Sequence, residues 1–226
     1  MQRVLALETS SRRGSVALYA EGLVAQASHE IPSAHGEQMA ALVDGCLAEA
    51  GWSKQQLDRL AVGIGPGSFT GLRVGIALAQ GMALGLERPL VGVSSLAALA
   101  HGELLAVSSH RAGTSAARAA LLDARRDEIF AQLFSADGAA LSEPLALKRE
   151  HTAEQLRQLA GTEPLWIGEV ALELGLTPSH APGFELPSAL CVAQLAEDAS
   201  LEAFEPLYVR AADAIKPNLP RSAVEV

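Results

Sequence analysis

A strand that runs directly into a glycine-rich turn and then into a helix is the feature of this sequence that most restricts its fold. The segment 57–64 becomes wholly apolar toward its end, as a strand does when both faces of its sheet are covered. Gly65 and Gly67 flank a proline whose φ is fixed at about −65°, so the backbone can turn sharply there. Ser68 or Thr70 can then cap a helix that meets no proline before residue 89. The junction predicts an α/β fold.

The turn has some likeness to phosphate-binding loops, but it departs from both common motifs. A Walker A loop requires a lysine near its end, whereas Gly71 is followed by Leu72. A dinucleotide-binding fingerprint that starts at Gly65 requires glycine at position 70, which is Thr70. Glycines that serve only a tight turn are the simpler explanation, although a helix start can bind an anion. Weak candidates for cofactor binding are therefore Gly65, Gly67, Ser68 and Thr70.

Composition predicts a soluble, folded protein. Hydrophobic residues make up 49% of the 226 residues and charged residues 19%, with a mean hydropathy of +0.21, so the chain can bury a sizeable core. The first residues enter a strand without the apolar run of a signal peptide. We therefore expect a cytoplasmic protein with no membrane contact. Cys46 and Cys191 lie in helical patterns without Cys or His partners at metal spacing, which predicts neither a zinc site nor a disulfide.

The charge of the chain argues against strong binding to nucleic acid. Lys and Arg number 17 and Asp and Glu 26, which gives a net charge of −9. No basic stretch with interleaved aromatic residues offsets this charge. We therefore expect any contact with RNA to require a partner chain.

Two successive units with similar element order are predicted. Each unit opens with three antiparallel strands and continues with helices and strands. The segment 106–116, rich in Ser, Gly, His and Arg, separates them and predicts lobes at 1–108 and 109–226. The first unit has predicted strands at 4–7, 15–20, 23–29, 57–64 and 89–93, with helices at 36–50, 71–85 and from residue 94 or 95 to 104; the second has strands at 118–123, 128–134, 141–147 and 165–168, with helices at 152–160 and 189–199.

Capping residues mark the start of several predicted helices. Ser53 with Gln56 and Thr152 with Gln155 have the spacing of capping boxes. Ser188 is expected to cap the last helix.

The helix at 71–85 has an unusual distribution of side chains. Apolar residues surround it, and only Arg73 and Gln80 form a narrow polar stripe. In the preceding helix, Ala41, Gly45 and Ala48 lie opposite the apolar face, where small residues allow another helix to approach closely. These five residues are the predicted partner interface. Burial within the chain, combined with a high alanine content, is the alternative.

The opening hairpin, together with four further segments, resembles the bacterial TsaB (YeaZ) family. These segments are 65–75, 93–96, 123–125 and 208–210, and the nine residues from Gly65 to Arg73 are the most specific part. The resemblance spans almost the whole chain. It implies an actin-like/sugar-kinase (ASKHA) fold of two ribonuclease-H-like lobes, each opening with a three-stranded antiparallel meander.

The resemblance also implies a role in placing threonylcarbamoyl on the adenosine next to the anticodon of certain tRNAs. It implies a non-catalytic subunit that binds the transferase TsaD as a heterodimer, while TsaE supplies ATPase activity, so that ATP is used by the complex. tRNA is then met only through the complex, and the free chain is a possible homodimer. The catalytic relative carries a His-x-x-x-His metal pair on its first helix, whereas His35 is followed here by Met39, and a thioether is a poor ligand for a hard cation.

Two other functions stay open at this point. One is an autonomous nucleotide-binding ATPase of the actin-like fold, and the other, less favoured, is a peptidase. Glu8 stands where actin-like folds commonly have aspartate, and its longer side chain weakens the nucleotide hypothesis.

Overall fold

Five strands form the first sheet. In the computed structural model, which describes residues 2–30, 35–107, 116–180, 182–197, 199 and 205–209, their order is β3-β2-β1-β4-β5. The first three strands pair antiparallel, and β4 and β5 run parallel to β1. All five side chains of β1 and of β4 are buried, which explains their wholly apolar centres. The bounds are β1 Val4–Glu8, β2 Arg13–Tyr19, β3 Leu23–Glu30, β4 Arg59–Gly63 and β5 Leu90–Val93.

A second sheet repeats this arrangement with four strands. Its order is β8-β7-β6-β9, with an antiparallel meander of three strands and β9 parallel to β6. The two predicted meanders are therefore present in the structure. The bounds are β6 Arg118–Arg125, β7 Glu128–Phe134, β8 Leu145–Lys148 and β9 Leu165–Ile167.

Helices cover both faces of each sheet. α1 and α2 pack on the face of the first sheet that carries Leu5 and Leu7. α4 and α5 pack on the face of the second sheet that carries Leu121 and Ile129. The bounds are α1 His35–Ala50, α2 Phe69–Leu86, α3 Ser95–Val107, α4 Arg149–Ala160, α5 Val170–Glu173 and α6 Ala189–Glu197.

The two remaining helices are exchanged between the halves of the chain. α3 follows the first sheet in sequence but packs against β6 and β7. α6 follows the second sheet in sequence but packs against β1 and β2. The Arg59 guanidinium of β4 donates hydrogen bonds to the carbonyls of Ala196 and Glu197 at the end of α6. The predicted boundary between residues 108 and 109 lies outside the described residues and stays a prediction, while the packing of α3 and α6 links the parts of the chain on either side of it.

Most predicted helix starts are confirmed, and one is wrong. Ser68 caps α2, since its hydroxyl accepts from Gly71 N at 3.2 Å. Ser188 caps α6 by accepting from Cys191 N at 3.4 Å. The capping box at Thr152 is wrong, because α4 begins three residues earlier, at Arg149, and the Thr152 hydroxyl donates to the Lys148 carbonyl inside the first turn.

Three further differences concern short elements. The Ser53–Gln56 pair caps a single 3₁₀ turn, Lys54–Gln56, with Ser53 N donating to Gln56 Oε1 at 2.8 Å. β8 begins at Leu145, later than predicted. α5 is a four-residue helix, which is too short to show a hydrophobic periodicity in the sequence.

Candidate functional site

The glycine-rich turn packs directly against the end of β1. A Cβ added at Gly67 would lie 2.3 Å from the Ser10 carbonyl oxygen, and one at Gly71 would lie 2.1 Å from the Thr9 carbonyl oxygen. One at Gly75 would lie 2.2 Å from the Thr9 hydroxyl. Because these glycines recur every four residues, they form one side of the turn and of α2 that has no side chains, and this side lies against the end of the strand. Close packing alone explains these glycines without a bound phosphate.

Several polar groups at the start of α2 are already engaged within the chain. Ser68 N donates to the Ser10 carbonyl at 2.7 Å, and Gly65 N donates to Ser95 Oγ at 3.3 Å. Gly71 N is taken by the Ser68 hydroxyl. Of the four weak cofactor candidates, Gly67, Ser68 and Thr70 line a cleft, and Gly65 is buried behind the turn. A cofactor role for them stays a prediction.

Glu8 lies beneath the same turn and is fully buried. Its Oε1 accepts from Ser10 N at 2.5 Å, and its Oε2 accepts from the Ser95 hydroxyl at 2.9 Å. Burial raises the pKa of Glu8, although the hydrogen bonds from Ser10 and Ser95 oppose this shift. The carboxyl group thus ties β1 to the start of α3.

A cleft of about 590 Å³ separates the two lobes. One wall consists of the β1–β2 turn at residues 10–12 and the start of α2 at residues 67–70. The opposite wall consists of the β6–β7 hairpin at residues 122–126 together with Glu169, Val170 and Glu173 at α5. Hydroxyl groups and arginines face each other across this space.

Arginines engage the carboxylates of the cleft. Arg12 donates to Glu169 at 2.7 Å across the cleft and also pairs with Glu30. Hydrogen bonds to Glu169 and Glu30 raise the pKa of the Arg12 guanidinium. Arg149 pairs with Glu173 at 2.7 Å, and with Asp123 and Asp127 at longer range. Within the described ranges, no group of three or more His, Cys, Asp and Glu side chains is arranged to hold a metal ion.

The predicted partner interface lies on the outer surface of α1 and α2. The two helices pack on each other, and their shared core includes Met39, while the side chain of His35 lies outside the described residues. A Cβ added at Gly45 would meet nothing within 4 Å, so the groove predicted at the small residues Ala41, Gly45 and Ala48 is open at its centre. All five predicted residues are exposed: Ala41, Gly45, Ala48, Arg73 and Gln80. Whether a partner binds there stays a prediction.

α2 leaves much of its apolar surface uncovered. By length and composition it would pass as a membrane span, with a mean hydropathy of 1.3, yet it packs on β4, β1 and α1 as a layer of the fold. Only 33% of its residues are buried, and Leu84 is 83% exposed. The helix predicted to be apolar on all sides is thus buried on one side and open on the other.

A cluster of two aromatic rings and an arginine was not predicted as a site. The Phe69 and Tyr208 rings lie 5.7 Å apart, centroid to centroid. The Arg73 guanidinium lies 3.8 Å from the Phe69 centroid. Leu207 N donates to the Ile64 carbonyl at 2.8 Å and so brings the 205–209 segment to the glycine-rich turn. Both rings belong to segments that carry the family resemblance, but their contact joins distant parts of the sequence.

Comparisons with known proteins agree with this architecture. The family model described as TsaD, tRNA N6-adenosine threonylcarbamoyltransferase, matches residues 22–162, more than half of the chain. The tRNA threonylcarbamoyladenosine biosynthesis protein TsaB of Escherichia coli K12 is 35% identical over 163 residues, which cover 70% of this chain and 68% of that relative.

Solved structures have the same fold. YeaZ from Pseudomonas aeruginosa is 30% identical, with a TM-score of 0.70 and coverage of 87% of this chain and 91% of that chain. Component A of (R)-2-hydroxyglutaryl-CoA dehydratase from Acidaminococcus fermentans is only 9% identical but superposes over 86% of this chain and 97% of its own, with a TM-score of 0.51. Together with the two sheets, these matches confirm the actin-like/sugar-kinase fold.

Proposed function

Because the chain belongs to the TsaB (YeaZ) family of tRNA threonylcarbamoyladenosine biosynthesis proteins, we propose that it is a non-catalytic subunit that binds a TsaD-type transferase. In this proposal the assembly, which also includes TsaE and consumes ATP, transfers threonylcarbamoyl to the adenosine next to the anticodon of tRNA. The chain supplies a docking surface and meets tRNA only within the assembly. The cytoplasmic location follows from the sequence and stays a prediction.

The outer face of α1 and α2 is the observation that carries this proposal. α2 exposes apolar surface such as Leu84, and the small residues of α1 leave open space at Gly45. Two helices can approach to about 8–10 Å between their axes where the contact residues are small. A partner that contributes two helices would complete a four-helix arrangement and cover the open side of α2.

The family model supports a transferase as that partner. It covers residues 22–162 and therefore includes both α1 and α2. A TsaD-type protein is thus expected to carry a related helix pair of similar shape. A second copy of this chain could use the same face, which is consistent with a homodimer when no transferase is present.

Gly45→Arg tests the docking surface. The bulky side chain fills the groove, so we expect affinity for the transferase to fall by about 2 kcal/mol or more, the loss typical of a hot spot. The melting temperature should change little, because the site is open and α1 buries its opposite side. Calorimetry and thermal unfolding provide the two measurements. Leu159→Arg, an exposed change on α4 in the other lobe, is the control. Normal binding by a folded Gly45→Arg variant would place the interface elsewhere.

The second candidate is an autonomous ATPase, which the cleft of about 590 Å³ favours. The position of Glu8 argues against an ATPase, because its carboxyl group accepts hydrogen bonds from Ser10 and Ser95 under the turn and does not face the cleft. We expect the purified chain to hydrolyse neither ATP with Mg²⁺ nor peptides, since no lysine and no group of metal ligands among the described residues lines the cleft to stabilise developing charge. Steady-state phosphate release settles the choice. Turnover that Ser68→Ala abolishes would support the ATPase.

A further inference from the structure

We propose that Phe69, Arg73 and Tyr208 form a stacking surface for an unpaired RNA base at the mouth of the interlobe cleft. This inference rests on the proposed function, because it assigns a substrate contact to the assembly that modifies tRNA.

The stacking surface is built from two distant segments. Phe69 is the first residue of α2 and lines the cleft, and Arg73 follows four residues later on the same side of the helix. Tyr208 is held against them because Leu207 N donates to the Ile64 carbonyl and Val209 packs into the core beside α3. The backbone on both sides of the rings is thus fixed by the fold.

Anchoring of the 205–209 segment does not account for the exposure of these rings. The hydrogen bond of Leu207 and the packing of the half-buried Val209 against the core already hold that segment in place. Phe69 nevertheless remains 47% exposed and Tyr208 49% exposed. Stacking of a flat π-system on exposed aromatic rings of this kind is energetically favourable.

Arg73, the residue of the predicted partner interface that lies against Phe69, adds a positive charge beside the rings. Its guanidinium lies over the Phe69 ring and pairs with no carboxylate in the part of the chain that the structure describes. Arg125, which pairs with Asp123 at 3.4 Å, and Arg126 stand at the opposite wall, on the exposed tip of the β6–β7 hairpin. The acidic groups nearby are engaged by Arg12 and Arg149. The cleft mouth is therefore not repulsive to phosphate, although the chain as a whole carries −9.

These features favour single-stranded RNA over other ligands. Aromatic rings accept a base only when its face is free, as in a loop or at an end, whereas bases inside a duplex stack on each other. Arginines beside the rings can contact the phosphates that flank such a base. The exposed hydroxyls of Ser68 and Thr70 lie next to Phe69 and supply neutral hydrogen-bond partners.

Tyr208→Ala in the assembly of this chain with its transferase tests the inference. We expect its affinity for an unmodified tRNA transcript to fall ~5-fold or more, as is typical when one stacking ring is lost. Tyr208→Phe keeps the ring and should bind within about twofold of the parent assembly. Leu141→Ala, an exposed apolar residue on the second lobe, is the control and should bind as the parent does. A transcript that carries photoreactive thiouridine in its anticodon loop should crosslink at Phe69 or Tyr208.

The outcomes separate this inference from the proposed function. Equal tRNA affinity for the parent assembly and Tyr208→Ala overturns the stacking surface and leaves the docking of the transferase untouched. Loss of transferase binding by Tyr208→Ala identifies the rings as a protein contact and also overturns the inference. If the parent chain binds no transferase, the proposed function fails, and the crosslink to the chain alone at low salt decides whether the rings meet RNA.

Discussion

At the scale of single residues, the turn is held by close contacts with the end of β1. Glu8 is the central residue, because its two carboxyl oxygens accept hydrogen bonds from Ser10 and Ser95. The site is fully buried, so the charged form is disfavoured and the pKa of Glu8 is raised above its ordinary value of 4.5. A group that could have served a cation in the cleft instead serves the fold.

Glu8→Gln should remove a pH dependence of stability. The folded protein binds the Glu8 proton more tightly than the unfolded chain does. The contribution of Glu8 to the free energy of unfolding is therefore fully present below pH 4.5, and it is lost as the pH rises through the pKa of Glu8 in the folded protein. Glutamine keeps one acceptor and can donate to Ser95. The stability of the variant relative to the parent should therefore increase with pH, as urea unfolding at about pH 5 and about pH 8 would show.

Glu8→Ala is the contrasting variant. It leaves Ser10 N without its acceptor and creates a cavity, so we expect a loss of about 2–4 kcal/mol. Equal stability of the alanine and glutamine variants would show that the carboxyl group does not tie the strand to the turn.

At the scale of elements, α2 has two sides with different tasks. Gly71 and Gly75 allow the buried side of α2 to lie against the end of β1. The other side carries Arg73, Gln80 and Leu84 on the surface. The same helix therefore contributes to the core, to the proposed docking surface and, through Phe69, to the proposed stacking surface.

Two glycine substitutions in α2 should have opposite effects. Gly71→Ala would place a methyl group 2.1 Å from the Thr9 carbonyl oxygen, so we expect a loss of about 1–3 kcal/mol from overpacking. Gly81→Ala lies in the same helix with nothing within 4 Å, so we expect a gain of up to about 1 kcal/mol from helix propensity. Urea unfolding of both variants measures the difference. A stable Gly71→Ala variant would contradict the close packing of α2 on β1.

At the scale of the whole molecule, the lobes are joined by more than one connection. The exchange of α3 and α6 places a helix from each half of the chain on the sheet of the other half. The pair of Arg12 with Glu169 adds an ionic contact across the cleft.

The free chain should bind tRNA weakly. A net charge of −9 repels the phosphate backbone over long range, and one stacking surface cannot offset that repulsion alone. We expect a dissociation constant above about 1 μM at physiological salt, measured by filter binding with the bare chain. Tighter binding without a partner would show that the chain itself is the tRNA receptor.

Local pattern and composition in the sequence were enough to predict much of this protein. The apolar 57–64 segment, the glycines after it and the hairpin signals of both halves predict a duplicated α/β fold, because burial and backbone geometry act over a few residues. Ser68 and Ser188 mark their helices for the same reason, since a cap bonds within its own turn. Thr152 was wrongly predicted as a helix cap, because a threonine hydroxyl can also hydrogen-bond to the backbone from inside a helix.

Tertiary structure alone decided which distant elements meet. An apolar helix face does not specify its sheet, so the packing of α3 on the second sheet and α6 on the first had no signal in the sequence. The same holds for the contact of Phe69 with Tyr208 and for the pair of Arg12 with Glu169. Burial of apolar surface is non-directional, and only the folded chain fixes which surfaces face each other and which side of α2 stays open.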